Sequence, residues 1–567
     1  MKICITALNS QYIHTSLAPW YLKAACENGT DEIKVLDLTI NCSIGTIRKA
    51  IYLEKPDVLA FSCYIFNIDM IETIISDIKK LLPKVIIILG GPEVTFDPFD
   101  VLARCKNADY IICGEGELAL KQLLETLQKG AIPLPYEIDG LLARGNNDLT
   151  LETICLDTKT LGGLPSPYTE EMLCAADGKI LYFEASRGCP FHCSYCLSSA
   201  SGGARFFELE MVKQNLKKVM LSNARQIKFV DRTFNCDLKR AKEIISFILK
   251  EAQNDTSGVI KAKNYHFEAA ADLFDDELIN LLQSAPAGLF QLEIGIQSLN
   301  MQTLEAVNRK TDLKRCINNI KQLLAKGNIH IHIDLIAGLP FENYSSFAQS
   351  FNGIYKLRPH CIQLGFLKLL KGSGMRTQAD NGGYFYENAP PYEVLCSPEL
   401  TFLELLKLKD IAQVIEKLYN SGRFTLTLEY ICKEDAFSFF SSFASFLLPQ
   451  NSIERAVSMK ELYSLFTQFA EKNLLLDKYE VFIELLKFDY FSSDSSCNPP
   501  KELKKIYNPN TKKLYKTETS RNTVHLEDFA FDPQRFINTK EKSGRVTWRF
   551  DYSCRNAVTG RFKGSSI

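Results

Sequence analysis

The sequence predicts an α/β protein in three parts. These are an N-terminal doubly wound parallel sheet of the Rossmann/flavodoxin-like kind, a partial (β/α)6 TIM-like barrel, and a mostly helical C-terminal region. Three observations predict it. Short apolar runs alternate with amphipathic helical patterns in two separate series. A stretch rich in Pro and Gly, from about Ala131 to Asp177, separates the series. After Gly374 the strand-sized runs give way to helical periodicity.

In the first series Lys2–Leu8, Lys34–Leu38, Val58–Cys63, Val85–Leu89 and Tyr110–Cys113 read as strands. Ser16–Cys26, Ile44–Glu54, Met70–Leu82 and Glu117–Lys129 read as the helices between and after them. Continuous apolar runs alternating with amphipathic helices suit parallel strands buried on both faces. Ligands of such sheets sit at the carboxyl ends of the strands. Those ends here are Asn9–His14, Ser62–Asn67, Gly90–Thr95 and Gly114–Glu117. Their Gly, Ser, Thr and Asn suit close backbone approach to a large polar ligand. Ala131–Asp177 reads as a linker with a small hairpin. The second series has strands at Tyr182–Ser186, Ile227–Asp231, Tyr265–Ala269, Phe290–Ile296, Ile329–Ile336 and Cys361–Leu367. Six βα units predict an incomplete barrel with its site at the strands' C-terminal ends. Glu399–Tyr419, Glu434–Leu448 and Glu454–Phe488 read as helices, and Ser492–Pro500 as a polar break. The tail from Lys501 holds 15 Lys/Arg against 7 Asp/Glu, a mild basic excess. Val546, Trp548, Phe550 and Tyr552 alternate as in a strand, which predicts an amphipathic hairpin packed on the barrel.

At 567 residues the chain suits two to four domains. A formal net charge of −1 does not point to a nucleic acid or a membrane. The opening MKICITALNS lacks a charged n-region and a long apolar core, and no run of eighteen apolar residues occurs after it. A cytoplasmic address is the expectation. Most of the 18 cysteines stand singly in apolar segments, as Cys63, Cys113 and Cys361 do, and read as small buried hydrophobes.

One trio does not. Ser186-Arg187-Gly188-Cys189-Pro190-Phe191-His192-Cys193-Ser194-Tyr195-Cys196 comes directly after the first barrel strand. Three thiolates spaced this way on one loop can wrap a corner of a cubane iron–sulfur cluster. Three cysteines leave the fourth iron of a [4Fe–4S] cluster without a protein ligand, an open position of the catalytic kind. A zinc site using His192, or three unrelated core cysteines, are the alternatives.

This motif, CxxxCxxC with an aromatic before the last cysteine, resembles the radical S-adenosylmethionine (SAM) superfamily. Later strands carry Phe267-Glu268-Ala269-Ala270-Ala271-Asp272, Glu293-Ile294-Gly295-Ile296-Gln297-Ser298, Asn308-Arg309 and Asp334-Leu335-Ile336-Ala337-Gly338-Leu339-Pro340. That order is similar to the oxygen-independent coproporphyrinogen oxidases and to the cobalamin (B12)-dependent radical-SAM group. The resemblance implies that Cys189, Cys193 and Cys196 ligate the cluster and that Glu268, Gln297, Arg309 and Asp334 contact SAM. A guanidinium fork suits the SAM carboxylate. Asp231, in Val230-Asp231-Arg232-Thr233, stands where relatives often carry Gly-Gly-Glu. The glycines are absent here.

A doubly wound sheet before such a barrel resembles cobalamin-binding enzymes. By that resemblance Ser62, Gly90, Gly91, Gly114 and Glu115 line a cobalamin site, together with His14. Many cobalamin proteins have Asp-x-His-x-x-Gly after the first strand, but Asn9-Ser10-Gln11-Tyr12-Ile13-His14 lacks the Asp and the Gly. His14 is therefore expected to cap or line the pocket, with cobalamin bound without a histidine ligand. The implied domains are 1–135 cobalamin-binding-like, 136–178 linker, 179–375 radical-SAM core, and 376–567 an accessory domain of undefined role. The implied cofactors are a [4Fe–4S] cluster, SAM and cobalamin, with a one-electron reductant such as flavodoxin or ferredoxin. The implied reaction is cleavage of SAM to a 5′-deoxyadenosyl radical and methylation of an unactivated carbon. Cyclisation or rearrangement, RNA methylthiolation, and a non-enzymatic cobalamin or redox sensor are the competing readings. Methylthiotransferases carry three further N-terminal cysteines for a second cluster, whereas Cys4, Cys26, Cys42, Cys63, Cys105 and Cys113 are scattered.

Overall fold

The computed structural model describes residues 1–133, 137–144, 153–432, 435–496, 498–503 and 523–567. Parts of the expected linker and of the basic tail lie outside them. The chain divides into two compact units. The first comprises Met1–Gln291, Glu305–Asp312 and Leu367–Leu395, and the second Leu292–Leu304, Leu313–Phe366 and Cys396–Ile567.

The first unit begins with the predicted doubly wound sheet. Its strands are β1 (Lys2–Asn9), β2 (Glu32–Thr39), β3 (Val58–Ser62), β4 (Ile86–Gly90), β5 (Tyr110–Ile112) and β6 (Leu141–Ala143), in the order β2-β1-β3-β4-β5-β6. Successive residues of one strand feed two different cores. Cys4, Leu8, Leu59, Phe61, Ile87 and Leu89 face one core, while Ile3, Ile5, Val58, Ala60 and Ile88 face the other. This is why the runs read as unbroken apolar segments rather than as alternation. Helix Ile68–Leu81 buries Ile71, Ile74, Ile75 and Ile78, a single stripe at helical spacing.

The first five strands are parallel, but β6 runs antiparallel to β5, pairing Ile111 with Leu142. The stretch expected to be only a linker with a hairpin therefore supplies the sheet's edge. Arg144, just past β6, fastens it by donating to the carbonyls of Leu102, Cys105 and Ala108. Three barrel strands complete this unit's parallel structure: β7 (Ile180–Phe183), β10 (Gln226–Phe229) and β11 (Asn264–Ala269). Between β7 and β10 the short strands β8 (Ser186–Arg187) and β9 (Arg205–Phe206) pair antiparallel and bracket the cysteine loop. Phe183, Phe229, Phe234 and Phe267 pack together, with ring centroids 4.2–5.5 Å apart along the chain of contacts.

The second unit holds three further barrel strands, β12 (Phe290–Gln297), β13 (His330–Ala337) and β14 (Cys361–Phe366). β13 and β14 are parallel, from His332 opposite Cys361 to Ala337 opposite Phe366. The short strands β15 (Phe385–Tyr386) and β16 (Val394–Cys396) follow in the chain, within the first unit's Leu367–Leu395 segment except for Cys396. Helices then dominate, as predicted. The expected Glu454–Phe488 helix is two helices, Met459–Asn473 and Leu476–Ser493, and the second runs on into the expected polar break. The alternating run near Val546 is β18 (Val546–Arg555), the centre of an antiparallel sheet with β17 (Val524–Phe529) and β19 (Phe562–Ser566). This sheet packs on helix Leu476–Ser493, where Phe488 meets Trp548 at 4.9 Å and Phe550 at 5.4 Å. The partner of the amphipathic face is thus this helix rather than the expected barrel.

Candidate functional site

The loop after β8 carries Cys189, Cys193 and Cys196. Cys189 and Cys193 are buried, and Cys196 is half-buried. Gly188 begins the loop at φ +79°, where a Cβ would lie 2.1 Å from the Gly203 carbonyl oxygen, so only glycine fits. Three segments hold the loop. The Ser194 N–H donates to the Val307 carbonyl at 2.9 Å, the Asn308 amide donates to the His192 carbonyl at 3.0 Å, and the Met375 N–H donates to the Ser194 carbonyl at 2.7 Å. Arg309 reaches the same loop, its Nη1 lying 3.6 Å from Cys193 Sγ and 3.3 Å from the Tyr195 hydroxyl. The Thr233 hydroxyl lies 3.4 Å from Cys189 Sγ. A cation and a hydroxyl thus lie beside two of the three sulfurs. Among the described residues, the three sulfurs do not converge within 4.8 Å of one another.

The residues expected to contact SAM fall in both units. In the first, Glu268 ends β11 beside Lys228, 4.0 Å away. Asp231 is occupied: its carboxylate accepts from the Ala185 N–H at 3.0 Å and the Ser186 hydroxyl at 2.5 Å. Burial pushes its pKa up to about 6, opposed by those hydrogen bonds. Asp231 thus braces the strand before the cysteine loop, and its side chain is not presented as an open contact. In the second unit Gln297 ends β12 on the face it shares with Glu293, and Asp334 lies within β13 on the face it shares with His332. Among the described residues Gln297 Oε1 is buried without a hydrogen-bond partner, the kind of orphan a bound ligand satisfies. His332 Nε2 lies 3.0 Å from Asp334 Oδ1. Burial alone would lower the His332 pKa, but Asp334 and Cys361 raise it to about 10.

At the carboxyl ends of β1, β3, β4 and β5 the first unit opens a cavity of about 710 Å³. His14, Ser62, Gly90, Gly91, Gly114 and Glu115 all line it, as do Glu268 and the loop-flanking Gly188 and Leu197. Asn67 staples the strand ends, donating to the carbonyls of Leu8 and Ser62 at 3.1 and 3.0 Å. Gly114, at φ +93°, lets Ile154 approach so closely that a Cβ would lie 2.2 Å from its carbonyl oxygen. His14 Nδ1 is 2.9 Å from the Tyr182 hydroxyl. Burial and then the Lys228 charge lower its pKa, which keeps the imidazole neutral. Glu115 is engaged rather than open, accepting from Arg205 at 2.8 Å and from the Leu156 N–H at 2.7 Å.

Sequence reasoning missed the charged wall of this cavity. Arg187 pairs with Glu117 at 2.7 Å and Glu184 at 3.0 Å, and its guanidinium sits 4.9 Å from the Tyr21 ring centroid. Burial pushes the Glu184 carboxyl up to about 7, and Arg187 pulls it back down. The signal was present, because Arg187 stands two residues before Cys189 and Glu117 closes the Gly114-Glu115-Gly116-Glu117 turn. Only the fold shows that these segments meet.

Comparison with known proteins divides the chain in the same way. A B12 binding domain model matches residues 3–124, a radical SAM superfamily model matches residues 183–352, and the family described as "Protein of unknown function (DUF4080)" matches residues 380–556. The chain is a radical SAM superfamily protein with a B12 binding domain. This radical SAM protein is 27% identical over 326 residues to the cobalamin-dependent radical SAM methyltransferase TokK of Streptomyces tokunonensis, covering 54% of this chain and 46% of that one. It is 25% identical over 367 residues to the 2-(S-pantetheinyl)-carbapenam-3-carboxylate methyltransferase of Streptantibioticus cattleyicolor, covering 61% and 52%. The chain thus spans about half the length of these two relatives. Its fold is similar to that of the radical SAM methyltransferase TsrM from Kitasatospora setae, with a TM-score of 0.57, 16% identity, and coverage of 71% of this chain and 81% of that one. It is also similar to the cobalamin-dependent radical enzyme OxsB, with a TM-score of 0.57, 14% identity, and coverage of 86% and 78%.

Proposed function

We propose that this radical SAM protein is a cobalamin-dependent enzyme that methylates an unactivated carbon. The observation that carries the reading is a juxtaposition within the first unit. The cavity at the strand ends of the B12 binding domain is also lined by Gly188 and Leu197, which bracket the cysteine loop. One chamber therefore serves both the domain that would hold cobalamin and the loop that would hold a cluster.

In this reading Cys189, Cys193 and Cys196 hold a [4Fe–4S] cluster. Soft sulfur ligands suit it, and Arg309 and Thr233 stand beside two of them. In the first unit Glu268 and Arg309 would contact SAM; in the second, Gln297 and Asp334 would, and Gln297 Oε1, without a partner among the described residues, fits a donor on that molecule. Asp231 acts through Ala185 and Ser186, which it fixes. Ser62, Gly90, Gly91 and Gly114 present backbone and small side chains to cobalamin. His14, tied to Tyr182, lines its site, and Glu115 and Arg205 build its wall. When bound, the cluster and SAM supply a 5′-deoxyadenosyl radical, and cobalamin supplies a methyl carrier. The protein's own part is to orient these groups and to exclude water. A one-electron reductant of the flavodoxin or ferredoxin kind completes the system. No helix among the described residues is long and apolar enough to cross a membrane, and a cytoplasmic setting accords with reduced cysteines.

The test is anaerobic purification, reconstitution with iron and sulfide, and addition of SAM, cobalamin and reductant. The expected result is 5′-deoxyadenosine from the wild type and none from Cys193→Ala, with cobalamin retained after desalting. An intact cluster that binds SAM yet yields no deoxyadenosine, even with cell extract supplying substrate, refutes the reading.

A further inference from the structure

Gln297 closes β12 at φ +73°, in the left-handed region. A residue with a Cβ is strained there. The next three residues, Ser298 to Asn300, hold it in place. Ser298 is fully buried. Its hydroxyl donates to Glu342 Oε1 at 2.6 Å and accepts the Asn300 N–H at 2.9 Å. The Leu299 N–H donates to the Ser350 hydroxyl at 3.1 Å, and that hydroxyl donates to the same Glu342 oxygen at 2.9 Å. The Asn300 amide donates to the carbonyl of Phe341 at 2.8 Å, and Phe341 is itself left-handed at φ +59°. The backbone after β12 is thus locked to a carboxylate that is 0% exposed, on the turn after β13. Burial pushes the Glu342 pKa up, and the two serine hydroxyls pull it down.

A fully buried carboxylate is costly to keep. Its neighbours turn that cost into geometry at one residue, whose amide oxygen has no partner among the described residues. We infer that Glu342 is a positioning residue: through Ser298 and Ser350 it holds Gln297 in its left-handed conformation, leaving the side-chain amide available to SAM. The inference rests on the proposed contact of Gln297 with SAM.

The experiment uses the full chain with its cluster reconstituted and left oxidised, so that SAM binds without cleavage. Calorimetry gives the SAM dissociation constant for the wild type, Gln297→Ala, Ser298→Ala, the double variant and Glu342→Gln. The EPR shift of the reduced cluster on adding SAM gives a second readout. Gln297→Ala and Ser298→Ala are each expected to weaken SAM binding about five-fold, and the double variant no further than Gln297→Ala, since coupled sites are non-additive. Glu342→Gln keeps an oxygen that accepts both hydroxyls and is expected to bind SAM as the wild type does. If Ser298→Ala does not fold, Ser350→Ala takes its place. If Ser298→Ala binds SAM normally while Gln297→Ala does not, or if its loss recurs in full on the Gln297→Ala background, Glu342 supports the fold alone and the inference falls. Unchanged binding by Gln297→Ala instead overturns the placement of SAM on Gln297.

Discussion

At the scale of single residues, the cysteine loop and the charged wall make different demands. The proposed cluster needs sulfur at three positions of the loop, and Cys193 is the sulfur that Arg309 touches. Replacing Cys193 by Ala is expected to reduce the iron bound per chain from about four to well under one, because two thiolates do not retain a cubane cluster. Iron assay and EPR of the reduced protein check it. The wall carries a pH dependence through Glu184. Burial pushes its carboxyl up to about 7 against the pull of Arg187, whereas an unfolded glutamate titrates near ~4.3. Between these values the folded chain holds a proton that the unfolded chain has released. The group's contribution is therefore full below ~4.3 and is lost as pH rises through about 7. Melting temperature is expected to fall from about pH 5 to about pH 8 more steeply in the wild type than in Glu184→Gln, whose side chain cannot ionise. Equal slopes would show that Glu184 keeps an ordinary pKa.

At the scale of elements, each strand end and helix face has an expected cost of disruption. Phe488, on helix Leu476–Ser493, meets Trp548, Phe550 and Phe529 of the C-terminal sheet. Phe488→Ala is expected to destabilise the second unit by about 3–5 kcal/mol, read as a lower denaturation midpoint in urea. Gly114→Ala puts a Cβ against the Ile154 backbone and forces a left-handed alanine, a strain of about 1–3 kcal/mol. The expected outcome is a folded chain that retains less cobalamin after desalting. These elements also show what the sequence revealed. β1, β3 and β4 were legible because both their faces are buried and their runs are continuous. β6 was not, since three residues in a Pro- and Gly-rich stretch carry no period, and only pairing with β5 makes them a strand. β18 was legible from its alternation, but the partner of its apolar face was not, because alternation shows that a face is buried and not what buries it. The same limit applied to the site. The cysteine spacing was local and readable, whereas Arg187, beside Glu184 in the chain, meets Glu117 from a separate segment.

At the scale of the whole molecule, the placement of cysteines separates the two methyl-transfer readings. Methylthiolation of RNA needs a second cluster, and hence three more thiolates gathered at one accessible place. Cys4, Cys63, Cys105 and Cys113 instead sit in the apolar core on one face of the first sheet, among Ile71, Ile74 and Ile87. Cys26 belongs to the core on the opposite face. Burial pushes the Cys4 and Cys26 thiols up, to about 11 and about 12, and the Cys113 thiol up to about 12. A thiol held protonated in apolar surroundings is a poor cluster ligand. A cubane among these side chains would also displace a close-packed core, whose tolerance for added volume is small. The expected iron content of the reconstituted chain is therefore about four atoms, the content of one [4Fe–4S] cluster. Replacing Cys4, Cys26 and Cys63 together by Ala or Ser is expected to leave that number unchanged, whatever it does to stability. About eight iron atoms, halved by those substitutions, would mean that the N-terminal sheet rearranges to hold a second cluster. The cavity at its strand ends would then serve sulfur chemistry rather than a corrinoid.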